Sequence, residues 1–137
     1  MEVLVPINSR DSARETVEYA LREYPDASIT VIHVTPRNGT HGMGGMYVHG
    51  PPVEAEREYT DQLFEMANGT ASAHGRLLTT ITAVGCPVRE IVAYAEKSDT
   101  DHIVIGNCKR TGLARFLFDN VTKGVVYRSP VSVTVVK

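Results

Sequence analysis

Three shortages narrow the chain before any motif is read. Cysteine occurs only at Cys86 and Cys108. The two stand far apart without C-x-x-C spacing, which argues against a zinc ribbon or a thioredoxin-type redox pair. Charge of one sign is also missing. Fourteen basic residues against sixteen acidic give a net charge of −2, so nothing points to nucleic acid or an anionic membrane surface as a partner. Long apolar runs are absent, and none approaches the ~20 residues that span a bilayer. The opening MEVLVP lacks the basic flank and apolar stretch of a signal peptide. These readings predict a soluble, reduced, cytoplasmic protein.

What is present fits one domain, residues 1–137. Hydrophobic residues make up 42% and charged residues 22% of the chain, ordinary globular values, and the length supports a core without disulfides or metal. No internal repeat is visible.

Apolar runs alternate with amphipathic stretches. Residues 3–7 (VLVPI) read as a short buried strand with Pro6 near its end. A helix follows, with Ala13, Val17, Ala20, Leu21 and Tyr24 at helical spacing and Ser12 to Glu15 as a capping box. Residues 29–34 (ITVIHV) are β-branched and bounded by Pro36, a second strand. Glycine and proline then crowd residues 36–53, which predicts a long mobile loop. A helix from about Glu54 to His74 carries Tyr59, Leu63, Met66, Ala67 and Ala71 on one stripe, weakened at Asn68 and Gly69. Residues 77–84 form a third strand, and Pro87 opens a helix bearing Val88, Ile91, Val92 and Ala95. Residues 102–105 make a fourth strand, 113–127 a fourth helix and 131–136 a fifth strand. This alternation means parallel βαβ units with helices on both faces of one sheet. Ligands in such sheets bind beyond the carboxyl ends of the strands, where the strand order reverses.

The passage from strand four into helix four carries the chemistry. Residues 102–106 (HIVIG) run through 107–112 (NCKRTG) into a helix at Leu113. Backbone N–H groups at such a junction can hold a phosphate.

Taken in order, VLVPIN at residues 3–8, IHV at 32–34, GCP at 85–87 before EIV at 90–92, IVIG at 103–106 and SPV at 129–131 make the chain resemble the universal stress protein family. The resemblance spans nearly all residues. It implies a five-stranded, mostly parallel, Rossmann-like α/β fold of order 3-2-1-4-5, and a homodimer through the C-terminal strand, residues 131–136. The family's nucleotide-binding members carry Gly-x-x-Gly, nine residues, then Gly-Ser or Gly-Thr. Here Gly106 keeps the first position, Lys109 takes the second, and Asp119 and Asn120 replace the closing pair beside Val121. The resemblance also places Pro6 and Val34 at nucleoside-facing positions and Asn8 where an aspartate usually stands, and it matches Gly112 to a glycine common in the loop.

These departures weigh unequally. Lysine at a position needing close backbone approach costs roughly 1–2 kcal/mol, although its ammonium can also lie on a phosphate. A carboxylate about 4 Å from a phosphate costs on the order of 4 kcal/mol at an effective dielectric near 20, almost a thousandfold in affinity. Asn8 and Asn120 keep neutral hydrogen-bonding groups. The sequence thus predicts a protein of the kind lacking the full ATP motif, requiring no cofactor and acting through contacts with an unidentified protein partner under stress. The alternative is a sensor of ATP, AMP or a cyclic nucleotide in the residual crevice.

Other candidates have plainer readings. Lys109, Arg110, Arg115 and Lys123 make a basic group best read as a solvated face, since Asp119 lies among them. His41, Met43, Met46 and His49 are too irregularly spaced for a metal site. His33 reads as a hydrogen-bonded core histidine, and Ser9 and Ser12 as helix caps. Cys86 and Cys108 read as ordinary thiols without a resolving partner, although Cys108 lies beside two cations. The sequons at Asn38 and Asn68 read as chance. No nucleophile, base and acid come together, so the chain is not expected to be an enzyme; slow nucleotide hydrolysis is the weakest alternative. The valines at 131, 133 and 135 alternate with Ser132 and Thr134. A strand ending the sheet in this way leaves an edge that a second copy can pair.

Overall fold

The computed structural model describes residues 1–35, 53–107 and 113–137, with the side chains of residues 11, 53, 54 and 113–119 outside that description. The expected loop at 36–53 therefore lies, apart from Val53, outside the described residues. So do His41, Met43, Met46, His49, Cys108, Lys109, Arg110 and Gly112.

Five strands and four helices alternate: β1 (Glu2–Pro6), α1 (Arg10–Glu23), β2 (Ser28–Thr35), α2 (Val53–Ala73), β3 (Thr79–Val84), α3 (Pro87–Lys97), β4 (His102–Gly106), α4 (Leu113–Arg128) and β5 (Ser132–Val136). The sheet has the order β3-β2-β1-β4-β5. All four strand pairings are parallel, with Leu4 opposite Thr30 on one side and Ile103 on the other. Short β-branched strands buried on both faces are what such a sheet requires.

Period-two alternation splits the core into two layers. Val3, Val5, Ile29, Val31 and Val104 meet Val17, Ala20 and Leu21 of α1 and Leu63, Ala67 and Ala71 of α2 on one face. Leu4, Ile32, Val34, Ile103 and Ile105 meet Ile91 and Ala95 of α3 and Val125 of α4 on the other. Helices α3 and α4 cross closely because residue 124 is glycine; a Cβ there would lie 2.7 Å from a Val88 methyl. Truncating a fully buried side chain such as Leu4 or Leu63 should cost about 2–5 kcal/mol.

Two local expectations are corrected. Helix α1 begins at Arg10 and its cap is Ser9, whose extended backbone lets the side chain accept from the Ser12 N–H at 3.4 Å. Ser12 therefore stands in the first turn and does not open a capping box. Helix α2 runs unbroken through Asn68 and Gly69, because Leu63, Ala67 and Ala71 fix its inner face while Gly69 looks onto open space. Packing outweighs the ~1 kcal/mol propensity loss.

The far end of α1 is fastened from a distance. Arg76 donates to the carbonyls of Leu21 at 3.0 Å, Tyr24 at 3.1 Å and Ala27. Its guanidinium satisfies carbonyls that a helix end leaves open, and it does so at the end of the sheet away from the carboxyl ends of the strands.

Candidate functional site

At the carboxyl ends of β1 and β4 the chain departs to opposite faces, α1 to one and α4 to the other, which opens a crevice at the sheet's switch point. The crevice takes in about 440 Å³, counting the open solvent at its mouth. Its apolar wall is Pro6, Ile32, Val34, Pro87, Ile91, Ile105 and Val121, and its polar edge is Asn8, Ser12 and Thr122. Among the described residues, none of the lining side chains carries a charge. A flat apolar group with a few hydrogen-bonding atoms fits such a wall better than an ion does.

Gly106 is where three elements converge. A Cβ there would lie 2.5 Å from Thr16 Oγ1 and 2.7 Å from Ser12 Oγ, so α1 can lie against the end of β4 only over glycine. The Thr16 hydroxyl donates to the Ser12 carbonyl at 2.6 Å. The Thr122 hydroxyl donates to the Gly106 carbonyl at 3.1 Å, and the Asn107 N–H donates to the Val136 carbonyl at 2.8 Å. The start of the loop after β4 is thereby held from α4 and β5.

The turn between β1 and α1 is held from the other face. His33 is 4% exposed, and its Nδ1 lies 3.0 Å from the Ile7 carbonyl. Burial pushes the His33 pKa below its ordinary value, against the opposing effects of that carbonyl and of Glu56. A neutral ring with the proton on Nδ1 suits this contact. Tyr59 of α2 donates its hydroxyl to the Asn8 carbonyl at 2.8 Å, with its ring edge-on to His33 at 6.0 Å.

Of the residues singled out in the sequence, Pro6, Asn8, Val34, Gly106 and Val121 come together around the crevice. Asn120 is exposed on α4 and is not among the lining residues. Asp119 belongs to α4, with its side chain outside the described part, and Lys109 and Gly112 lie outside it altogether. Sequence reading overlooked Ile7, Ile32, Ile91, Ile105 and Thr122 as crevice residues and took Ser12 and Pro87 for helix-start residues. For Ile32 a signal existed: it shares a strand face with Val34. Thr122 had none, because only tertiary contact brings α4 over Gly106. Cys86 is exposed just ahead of α3. Among the described residues no cluster of His, Cys, Asp or Glu could hold a metal ion, and no helix is long and apolar enough to cross a membrane.

The sequence model of the universal stress protein family matches residues 1–137, and the chain belongs to that family. Universal stress protein MJ0531 of Methanocaldococcus jannaschii is 29% identical over 142 residues, covering 99% of this chain and 81% of that protein. The fold is similar to that of a universal stress protein solved in complex with cAMP, at a TM-score of 0.75 and 22% identity over 100% of this chain and 97% of the other. It is also similar to one from Archaeoglobus fulgidus in complex with dAMP, at a TM-score of 0.70 and 19% identity over 100% and 98%.

Proposed function

We propose that this protein serves the stress response by binding an adenine nucleotide through its nucleoside end, without the tight triphosphate grip of the family's full ATP motif and without turning the nucleotide over. One observation carries the reading: the crevice at the switch point of the sheet, where Pro6, Val34, Asn8, Gly106 and Val121 come together and the described lining side chains are uncharged. Apolar walls accept a base on its faces, while the Asn8 amide and the Ser12 hydroxyl can donate to a sugar or a first phosphate, and Thr122 Oγ1, its proton held by Gly106, can accept from a sugar hydroxyl. Proteins of similar fold solved with cAMP and dAMP support an adenine ligand with one phosphate group. The replacements at Lys109, Asp119 and Asn120 argue against a firm hold on further phosphates.

Denaturing freshly purified protein and analysing what is released tests this first, because a ligand held in the crevice copurifies. The melting temperature with millimolar adenosine, AMP, cAMP and ATP tests it second. A ligand at about 100 times its dissociation constant adds roughly 2.7 kcal/mol. No shift with any of the four would end the proposal.

A second reading, compatible with the first, rests on β5. It closes one end of the sheet, and the Val136 carbonyl points inward to Asn107. By strand alternation Val133 and Val135 turn their backbone groups to the free edge. Pairing of that edge across a two-fold axis would give a homodimer that acts in the cytoplasm through protein contacts.

A further inference from the structure

We infer that His33 and Tyr59 are positioning residues for the crevice: from the opposite face of the sheet they hold the Ile7 and Asn8 carbonyls, and so turn the Asn8 and Ser9 N–H groups toward oxygen atoms of the ligand. The inference rests on the nucleotide reading above and adds to it the donors that meet the ligand's sugar or phosphate.

The placement follows from strand alternation. Ile29 and Val31 pack into the layer of α1 and α2, whereas Ile32 and Val34 pack into the layer of α3 and α4. His33 therefore lies on the α1/α2 face, as does Tyr59 on α2, while Ile32 and Val34 line the crevice on the other. The His33 ring holds the Ile7 carbonyl at 3.0 Å and the Tyr59 hydroxyl holds the Asn8 carbonyl at 2.8 Å. No peptide bond among the described residues is cis. In a trans peptide the N–H points opposite to the carbonyl of the residue before it. Drawing carbonyls 7 and 8 toward α2 thus directs the N–H groups of residues 8 and 9 away from α2, to the side where Pro6 and Asn8 border the crevice. Neither N–H meets an acceptor among the described residues, although Ser9 is buried. Unpaired main-chain donors beside a polar cleft are suited to ligand oxygens.

The test is an AMP titration of the ¹⁵N-labelled protein, followed by affinities of Tyr59→Phe, His33→Leu and His33→Asn. Tyr59→Phe keeps the ring against His33 and removes the hydroxyl. His33→Asn keeps an N–H donor near the place of Nδ1, and His33→Leu does not. AMP should move the Asn8 and Ser9 amide protons downfield. Tyr59→Phe and His33→Leu should weaken AMP binding by about fivefold, the worth of one displaced hydrogen bond, and His33→Asn should restore it to within about twofold of wild type. Tyr59 is partly exposed, so its variant should melt within about 2 °C of wild type and decides the matter even if His33→Leu does not fold. AMP saturation with both amides unmoved, or Tyr59→Phe binding as tightly as wild type, overturns the inference and leaves the nucleotide reading standing. Failure of the wild-type protein to bind any adenine nucleotide overturns both.

Discussion

The Thr122 hydroxyl donates to the Gly106 carbonyl at 3.1 Å, fastening the middle of α4 to the last residue of β4. The same glycine lets α1 approach from its other side. Two helices on opposite faces of the sheet thus meet at one residue lacking a side chain, and that meeting shapes the polar edge of the crevice.

Gly106→Ala should accordingly destabilise the fold by about 1–3 kcal/mol, the usual cost of forcing a methyl group into a packed contact. Its Cβ would press on Thr16 Oγ1 and Ser12 Oγ at 2.5 and 2.7 Å. Urea unfolding measures the loss. Adding Thr16→Ala should recover part of it, and no recovery would place the strain elsewhere.

Stability should depend on pH through His33. Burial lowers its pKa in the folded protein, so below about 6.5 the unfolded chain binds more protons than the folded one. The contribution of the neutral ring is complete above about pH 6.5 and is lost as the pH falls from there through the lowered folded-state pKa. His102, shifted the same way by burial, adds less because it is more open to solvent. Urea midpoints at pH 7.5 and 5.5 should therefore differ less for His33→Asn than for wild type. An equal difference in both proteins would remove His33 from the account.

The acidic replacement in α4 should be reversible in effect. Asp119→Gly with Asn120→Ser restores the bare backbone and hydroxyl of the family's nucleotide-binding pattern. ATP affinity should rise at least tenfold, and up to about a thousandfold if the full like-charge penalty is relieved. AMP affinity should change much less. Equal gains for both ligands would show that the carboxylate acts near the nucleoside and not along the phosphates.

The edge of β5 makes a separate prediction. Val135→Pro removes an N–H directed to the free edge while sparing the bonds to β4. Sedimentation should give a dimer for wild type and a monomer for the variant with its fold retained. A monomeric wild type over a wide concentration range would dismiss edge pairing.

Much of this was written in local pattern. The β-branched runs at 29–34 and 102–105 mark strands because parallel sheets bury both faces, and Pro87 marks a helix start by what it cannot donate. Val34 and Gly106 were placed at the crevice by the family resemblance, and their positions at strand ends agree with it. Ser12 was not, because a first-turn hydroxyl looks like a cap until α1 is laid over Gly106. Tyr59 was read only as part of an apolar stripe; its hydroxyl finds Asn8 across 51 residues of sequence, a contact that no local spacing encodes. His33 was legible as a buried, hydrogen-bonded histidine, but its acceptor depends on the turn after β1.

The most direct measurement is calorimetric titration of the wild-type protein with AMP and ATP under one set of conditions. If the crevice holds the nucleoside end and the replaced loop does not grip the phosphate chain, the two dissociation constants should agree to within about tenfold, roughly 1.4 kcal/mol. ATP binding more than about a hundredfold tighter than AMP, or no heat with either ligand, would contradict the account.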